Sequence, residues 1–226
     1  MKLKLLGLLA FIGGILVALV LMAYGGYFLA NLIPLYIQQF ASAGTPPTFE
    51  DIISVILFLS VFVLLVVMGL MFLPVCIKGI RLSLNGQDDD KVVKLNAKLF
   101  AYVGIFGILT VIIVAFMNFF SLGTFEITSW SDLIFSAIIV VLYIVGVALY
   151  KGDARFVSLI LFAVTPLFQL IKLILGGLVV GGDTMTQVFN ILQFVAFALF
   201  SGGAILLYVF AMIGVIKGKG NKEANE

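Results

Sequence analysis

Six long apolar stretches divide this chain and leave little room for a soluble core. A helix needs about 20 apolar residues to cross the hydrocarbon layer of a bilayer, and these stretches are close to that length or longer. The sequence is 63% hydrophobic and only 11% charged, which also indicates a membrane protein. The predicted spanning helices are residues 5–30, 52–77, 98–120, 133–150, 156–180 and 188–216.

These stretches predict an all-α polytopic membrane protein, a bundle of six transmembrane helices. Residues 1–216 form one transmembrane domain, and residues 217–226 form a short polar tail. A signal peptide is the other interpretation of the first stretch, because Lys2 and Lys4 give it a basic start. The apolar run is too long for that and lacks a clean cleavage site, so we expect a helix of the mature protein.

The basic residues predict the orientation of the bundle. Twelve of the 13 Lys and Arg residues fall before the first stretch, in every second connection, or after the last stretch. Cytoplasmic segments are enriched in Lys and Arg, so both termini are predicted to be cytoplasmic in a plasma-membrane protein. The twelve are Lys2, Lys4, Lys78, Arg81, Lys91, Lys94, Lys98, Lys151, Arg155, Lys217, Lys219 and Lys222.

The other connections carry the opposite charge. Residues 38–51, 121–132 and 181–187 contain no Lys or Arg. They hold five acids, which are Glu50, Asp51, Glu126, Asp132 and Asp183. The predicted outer side is therefore acidic.

The sequence argues against an ordinary enzyme. It contains no histidine, which removes the commonest general base and metal ligand, and its single cysteine, Cys76, excludes an internal disulfide. No phosphate-binding loop or nucleotide fingerprint is present. We therefore predict no catalytic residues, no metal site and no cofactor.

Small residues recur along one face of the first predicted helix. Ala10, Gly14 and Ala18 are four residues apart, and Gly26 and Ala30 continue the same spacing. Such rows allow helices to approach closely in membranes. The face is predicted to pack against another helix of this chain or against a partner subunit.

This face has a counterpart in a known family of membrane proteins. Together with six helices and cytoplasmic termini, it resembles the substrate-capture subunits of energy-coupling-factor vitamin transporters, whose first helix carries an alanine-rich docking motif. Gly14 stands where that pattern has an alanine, and the resemblance covers architecture rather than sequence. It implies a membrane partner and a solute pocket open to the outside.

Apart from Lys98, the first residue of its stretch, Lys172 is the one base within an apolar stretch. It lies 17 residues after Arg155, or about 25 Å along a helix, which places it in the outer third of the bilayer. There its ammonium group can reach the outer head groups or meet an acid. The alternative is a site, since Lys172 shares a helical face with Thr165 and Gln169.

Other polar residues are predicted near the same outer level. We expect that, together with Lys172, they line an outward-facing pocket for a small polar or anionic solute. The candidate residues are Lys172, Gln169, Thr165, Asn190, Gln193, Asn118 and Asn31.

The longest predicted connection, residues 78–98, is polar and predicted to be a cytoplasmic loop. Asn85-Gly86 is a turn signal, and the acids that follow could begin a short helix. The ligand spacing of a calcium loop is absent. A cytoplasmic protein is a candidate partner for this loop.

We predict a non-enzymatic accessory or partner-binding subunit of a plasma-membrane complex. The alternative is a small-solute capture or transport subunit with an outward-facing polar pocket. A polar outer cavity favours the alternative, whereas a packed outer half with a lipid-facing small-residue groove favours the accessory role. The expected partners are the lipid bilayer and another membrane subunit, and no nucleic acid is implied.

Overall fold

The structure is a computed structural model that describes residues 2–44, 46–86, 89–124, 127, 130–151, 154–176 and 184–223. The described chain is all-helical, as predicted. Its helices are α1 (Lys2–Ser42), α2 (Phe49–Asn85), α3 (Asp89–Leu122), α4 (Trp130–Leu149), α5 (Arg155–Gly176) and α6 (Thr184–Glu223).

Five of these helices are long and apolar enough to cross a membrane. They are α1, α2, α3, α4 and α6. Within the described residues, α5 contributes a shorter apolar segment, Arg155–Ile171. Length and composition therefore support a membrane-embedded protein.

Most helices continue beyond the apolar stretches from which they were predicted. α1 reaches Ser42 rather than residue 30, and α2 reaches Asn85 rather than residue 77. Hydropathy marks where apolar surroundings end, whereas a helix continues until a residue stops it. α2 stops at Gly86, which has φ 63° and donates its N–H to the Leu82 carbonyl at 3.0 Å.

The predicted loop over residues 78–98 is wrong. The described residues of this range are helical except Gly86, since α2 ends at Asn85 and α3 begins at Asp89. Asp89 and Asp90 occupy the first turn of α3, where acids complement the helix dipole, and Val92 and Val93 are buried. Polar residues that suggested a loop divide between the two sides of the helix ends: Lys78, Arg81, Lys91 and Lys94 are exposed, whereas Ser83 and Asn96 are buried.

The six helices form a ring in chain order. Each helix packs against the next, and α6 returns to pack against α1. The end formed by the start of α1 and the α2–α3 and α4–α5 connections carries Lys4, Lys78 and Arg155, and we call it the basic end. The opposite end, with Glu50 and Asp51, is the acidic end.

The core lies mainly in the half of the bundle nearer the basic end. Its largest fully buried side chains include Phe11, Phe72, Phe100, Phe200 and Tyr208. The rings of Phe100 and Phe200 stack with centroids 4.4 Å apart. In α2 every buried residue lies at or after Met68, so the half of α2 nearer the acidic end has none.

The small-residue face of α1 is buried by helices of the same chain. Ala10 and Ala18 are 0% exposed. A Cβ added at Gly14 would lie 2.6 Å from Cys76 Sγ on α2, and one added at Gly203 on α6 would lie 3.0 Å from Ala10 Cα. The row therefore allows α2 and α6 to approach α1 closely.

The row does not continue to Gly26 and Ala30 as the spacing predicted. Gly26 faces open space and Ala30 is exposed. Gly25 is buried instead, and a Cβ there would lie 2.6 Å from the Phe62 carbonyl oxygen. A four-residue step turns about 40° around a helix, so a long row of such steps leaves the packed side.

Candidate functional site

A cavity of about 500 Å³ opens at the acidic end, between the end of α1, the start of α2 and the end of α3. Pro46 and Pro47, in the connection between α1 and α2, complete its wall. Ligand sites for small molecules typically measure about 300 to 1,000 Å³. The cavity therefore has the size of a small-molecule site.

A capping box fixes one rim of this cavity. The Thr48 hydroxyl accepts the Asp51 N–H at 3.2 Å, while Asp51 Oδ2 accepts the Thr48 N–H at 3.0 Å and the Thr48 hydroxyl at 2.6 Å. These bonds satisfy the first turn of α2. They also hold the Asp51 carboxylate beside the cavity, next to the exposed Glu50.

Aromatic rings form another part of the cavity wall. Tyr36 and Phe40 come from α1 and Phe120 from α3, and all three are half-buried. The Tyr36 ring lies 6.3 Å from that of Phe58, which lies 5.3 Å from that of Phe62. Successive ring contacts therefore extend from the cavity into the bundle between α1 and α2.

The charge of the lining is of one sign. Glu50 and Asp51 are acidic, and among the lining residues that the structure describes there is no basic one. The remaining polar side chains are Gln39, Thr48, Ser54 and Ser121. Carboxylates and aromatic rings thus meet at one solvent-facing cavity.

The three candidate site residues on α5 do not share one cavity in the described part of the structure. Thr165 is buried and its hydroxyl donates to the Phe162 carbonyl at 2.7 Å. Gln169 is half-buried and lines a second cavity, of about 80 Å³, with Ser136. Lys172 belongs to α5, but its side chain lies outside the described residues, so its direction stays a prediction.

The predicted amides do not line the larger cavity. Asn31 is exposed and its amide donates to the Tyr27 carbonyl of its own helix at 2.7 Å. Asn118 is half-buried on α3, and Asn190 and Gln193 are half-buried on α6. Sequence reasoning selected amides within the apolar stretches, whereas the cavity uses acids and aromatic rings at helix ends.

A separate polar cluster joins three helices at the basic end. Arg155 forms an ion pair with Asp90, and Tyr150 donates its hydroxyl to Asp90 Oδ1 at 3.3 Å. The Lys94 ammonium lies 4.5 Å from the centre of the Tyr150 ring. Burial, with a further contribution from the Asp90 charge, raises the pKa of Tyr150 to about 12, which keeps the hydroxyl protonated as a donor.

The basic-end cluster is best explained by a structural role, in which polar contacts hold helix ends together. Its groups connect the starts of α3 and α5 with the residue that follows α4. Within the residues that the structure describes, no three His, Cys, Asp or Glu side chains could hold a metal ion.

Comparisons with protein-family models, curated proteins and solved structures give no match.

Proposed function

We propose that this chain is a non-enzymatic plasma-membrane protein that captures a small solute at its outer, acidic end. In this proposal all six helices span the bilayer and both termini are cytoplasmic. The observation that carries it is the cavity of about 500 Å³ at the acidic end, lined by both polar and aromatic residues.

The closed basic half favours capture over independent transport. Phe72, Phe100 and Phe200 pack together on three different helices in its centre. Their side chains are fully buried, which leaves no wide passage between them. Movement of a captured solute across the bilayer would therefore require a conformational change or another subunit.

The orientation can be tested with single cysteines in a variant in which Cys76 is replaced. Gly44 and Thr124 lie at the acidic end, and Asn85 lies at the basic end. Cysteines at Gly44 and Thr124 should react with a membrane-impermeant thiol reagent in intact cells. A cysteine at Asn85 should react only after permeabilisation, and labelling at Asn85 alone in intact cells would reverse the orientation.

Filling the cavity tests solute capture. Ser54 lines the cavity, so Ser54→Trp should occupy it, whereas Ile56, two residues along α2, is 59% exposed and does not line it. A solute library should contain ligands that raise the melting temperature of the purified wild-type protein. The shift should disappear in Ser54→Trp and persist in Ile56→Trp.

The proposal of capture fails if no solute stabilises the wild-type protein. It also fails if every stabilising solute acts equally on Ser54→Trp. The Ile56→Trp control separates loss of the cavity from a general effect of an added indole on α2.

An accessory role is the second candidate. The small-residue face of α1 that suggested it is buried within the chain, but Gly202 and Gly214 on α6 face open space. Such positions allow another helix to pack closely in a bilayer. A stoichiometric membrane partner that co-purifies in mild detergent would support this role, alone or in addition to capture.

A further inference from the structure

The lining of the acidic-end cavity indicates which class of solute it binds. We infer that the ligand carries a small organic cation, an ammonium or quaternary ammonium group. The inference rests on the proposed capture function and narrows it to one chemistry. Three features carry it: the cavity itself, the carboxylates on its rim and the aromatic rings of its wall.

The carboxylates make the cavity unfavourable for anions and favourable for cations. Glu50 and Asp51 both line it, and none of the described residues of the lining is basic. The start of α2 contributes a partial positive charge of about one half, which is smaller than the charge of the two acids. α5, which carries Lys172, packs mainly against α4 and α6, whereas α1, α2 and α3 form the cavity.

The aromatic wall favours an organic cation over a metal ion. Tyr36, Phe40 and Phe120 contribute three aromatic side chains to the same lining as the two acids. Quaternary ammonium groups are recognised by such rings through cation–π attraction and apolar contact. A metal ion would instead require several converging oxygen ligands, and Asp51 Oδ2 is already bonded to Thr48.

The two acids have different structural roles, so the contribution of a rim charge to ligand binding can be tested without disturbing the helix cap. Asp51 closes the capping box, so its replacement would also disturb the start of α2. Glu50 is exposed in the first helical turn and is not part of that box. Glu50→Gln therefore removes a rim charge while keeping the shape of the side chain and the cap.

A series of three probes of nearly the same shape separates charge from size. Choline is a cation, 3,3-dimethylbutan-1-ol is its neutral isostere, and 3,3-dimethylbutanoate is the corresponding anion. Titration calorimetry on the detergent-purified full chain should give the tightest binding for choline. Glu50→Gln should weaken choline binding roughly threefold to fivefold and leave the alcohol unchanged.

Two further variants locate the binding. Tyr36→Leu should weaken choline binding roughly fivefold through loss of the ring. Asp132→Asn removes an acid from α4 at the same end, outside the cavity lining, and should have little effect. Equal weakening by Asp132→Asn and Glu50→Gln would indicate general surface charge and would overturn the inference.

The cation could be a free solute or the head group of a lipid, and nanodiscs distinguish the two. If lipid head groups occupy the cavity, choline should bind more weakly in phosphatidylcholine nanodiscs than in phosphatidylglycerol nanodiscs, both measured at high salt so that the anionic lipid surface does not itself concentrate choline. Equal affinity in the two would indicate a free solute. Both results support recognition of an ammonium group.

Failure of this inference can be told apart from failure of the capture function. Suppose that the alcohol or the anion binds at least as tightly as choline, and that Ser54→Trp abolishes this binding. The proposal of solute capture is then supported, and the inference that the ligand is a cation is wrong. If choline binds equally to wild type and Ser54→Trp, it binds elsewhere and the inference is overturned. If neither the series nor the solute library binds, both proposals fail.

Discussion

Gly13→Ala should destabilise the bundle by about 1 to 3 kcal/mol, although it adds only one methyl group. A Cβ at Gly13 would lie 2.7 Å from both the backbone nitrogen and the Cα of Phe200 on α6. Backbone atoms cannot turn aside as the end of a flexible side chain can. α1 and α6 would have to separate where they close the ring of helices.

Gly26→Ala provides the matched control on the same helix. A Cβ at Gly26 would have no packing neighbour within 4 Å, so the added methyl group meets no obstacle. Alanine favours a helix over glycine by about 1 kcal/mol, so the substitution should be neutral or slightly stabilising. Thermal unfolding of the two variants in the same detergent measures the difference. Equal melting temperatures would mean that α1 and α6 do not approach as closely as the structure has them.

The contrast between Gly13 and Gly26 illustrates what the sequence alone could not supply. The four-residue spacing predicts a close contact at Ala10, Gly14 and Ala18, and Ala10 and Ala18 are buried while a Cβ at Gly14 would lie 2.6 Å from Cys76 Sγ. The spacing does not identify which helices make that contact, because small residues allow any helix to pack closely against them. It also led to the wrong face beyond Ala18, because the drift of the helix accumulates with each four-residue step.

Helix existence was predictable because apolar length is a strong local signal. Helix ends were not, because residues 78–85 and 89–97 are polar enough to resemble a loop but are helical. What fixes the start of α3 is burial of Val92, Val93 and Ala97 against other helices. Such tertiary contacts cannot be seen in a hydropathy pattern.

The candidate cavity was missed for a related reason. Its lining comes from the ends of three helices and a connection, so its members are far apart in sequence. In the sequence, the two acids in the first turn of α2 indicate only the topology of the chain. Phe120 belongs to an apolar stretch and Tyr36 lies a few residues beyond one, so neither aromatic residue carries a separate signal in the sequence.

Tyr208→Phe should lower the unfolding free energy by about 1 to 2 kcal/mol, a large effect for loss of one hydroxyl. The Tyr208 hydroxyl donates to Asn96 Oδ1 at 2.7 Å, and both residues are 0% exposed. The bond joins α6 to α3 across the core. Without it, the Asn96 carbonyl would be buried with no donor, and Asn96 Nδ2 already has no hydrogen-bond partner within the described part of the chain.

A double-mutant cycle shows whether this bond itself carries the stability. Asn96→Leu alone should also destabilise, because it leaves the Tyr208 hydroxyl buried without its acceptor. Asn96→Leu with Tyr208→Phe removes both polar groups, so it should cost less than the two single changes together. Tyr143→Phe, at a half-buried tyrosine on α4, controls for loss of a hydroxyl elsewhere. Additive single effects would mean that the two side chains are not coupled and that the hydrogen bond does not itself stabilise the packing of α3 against α6.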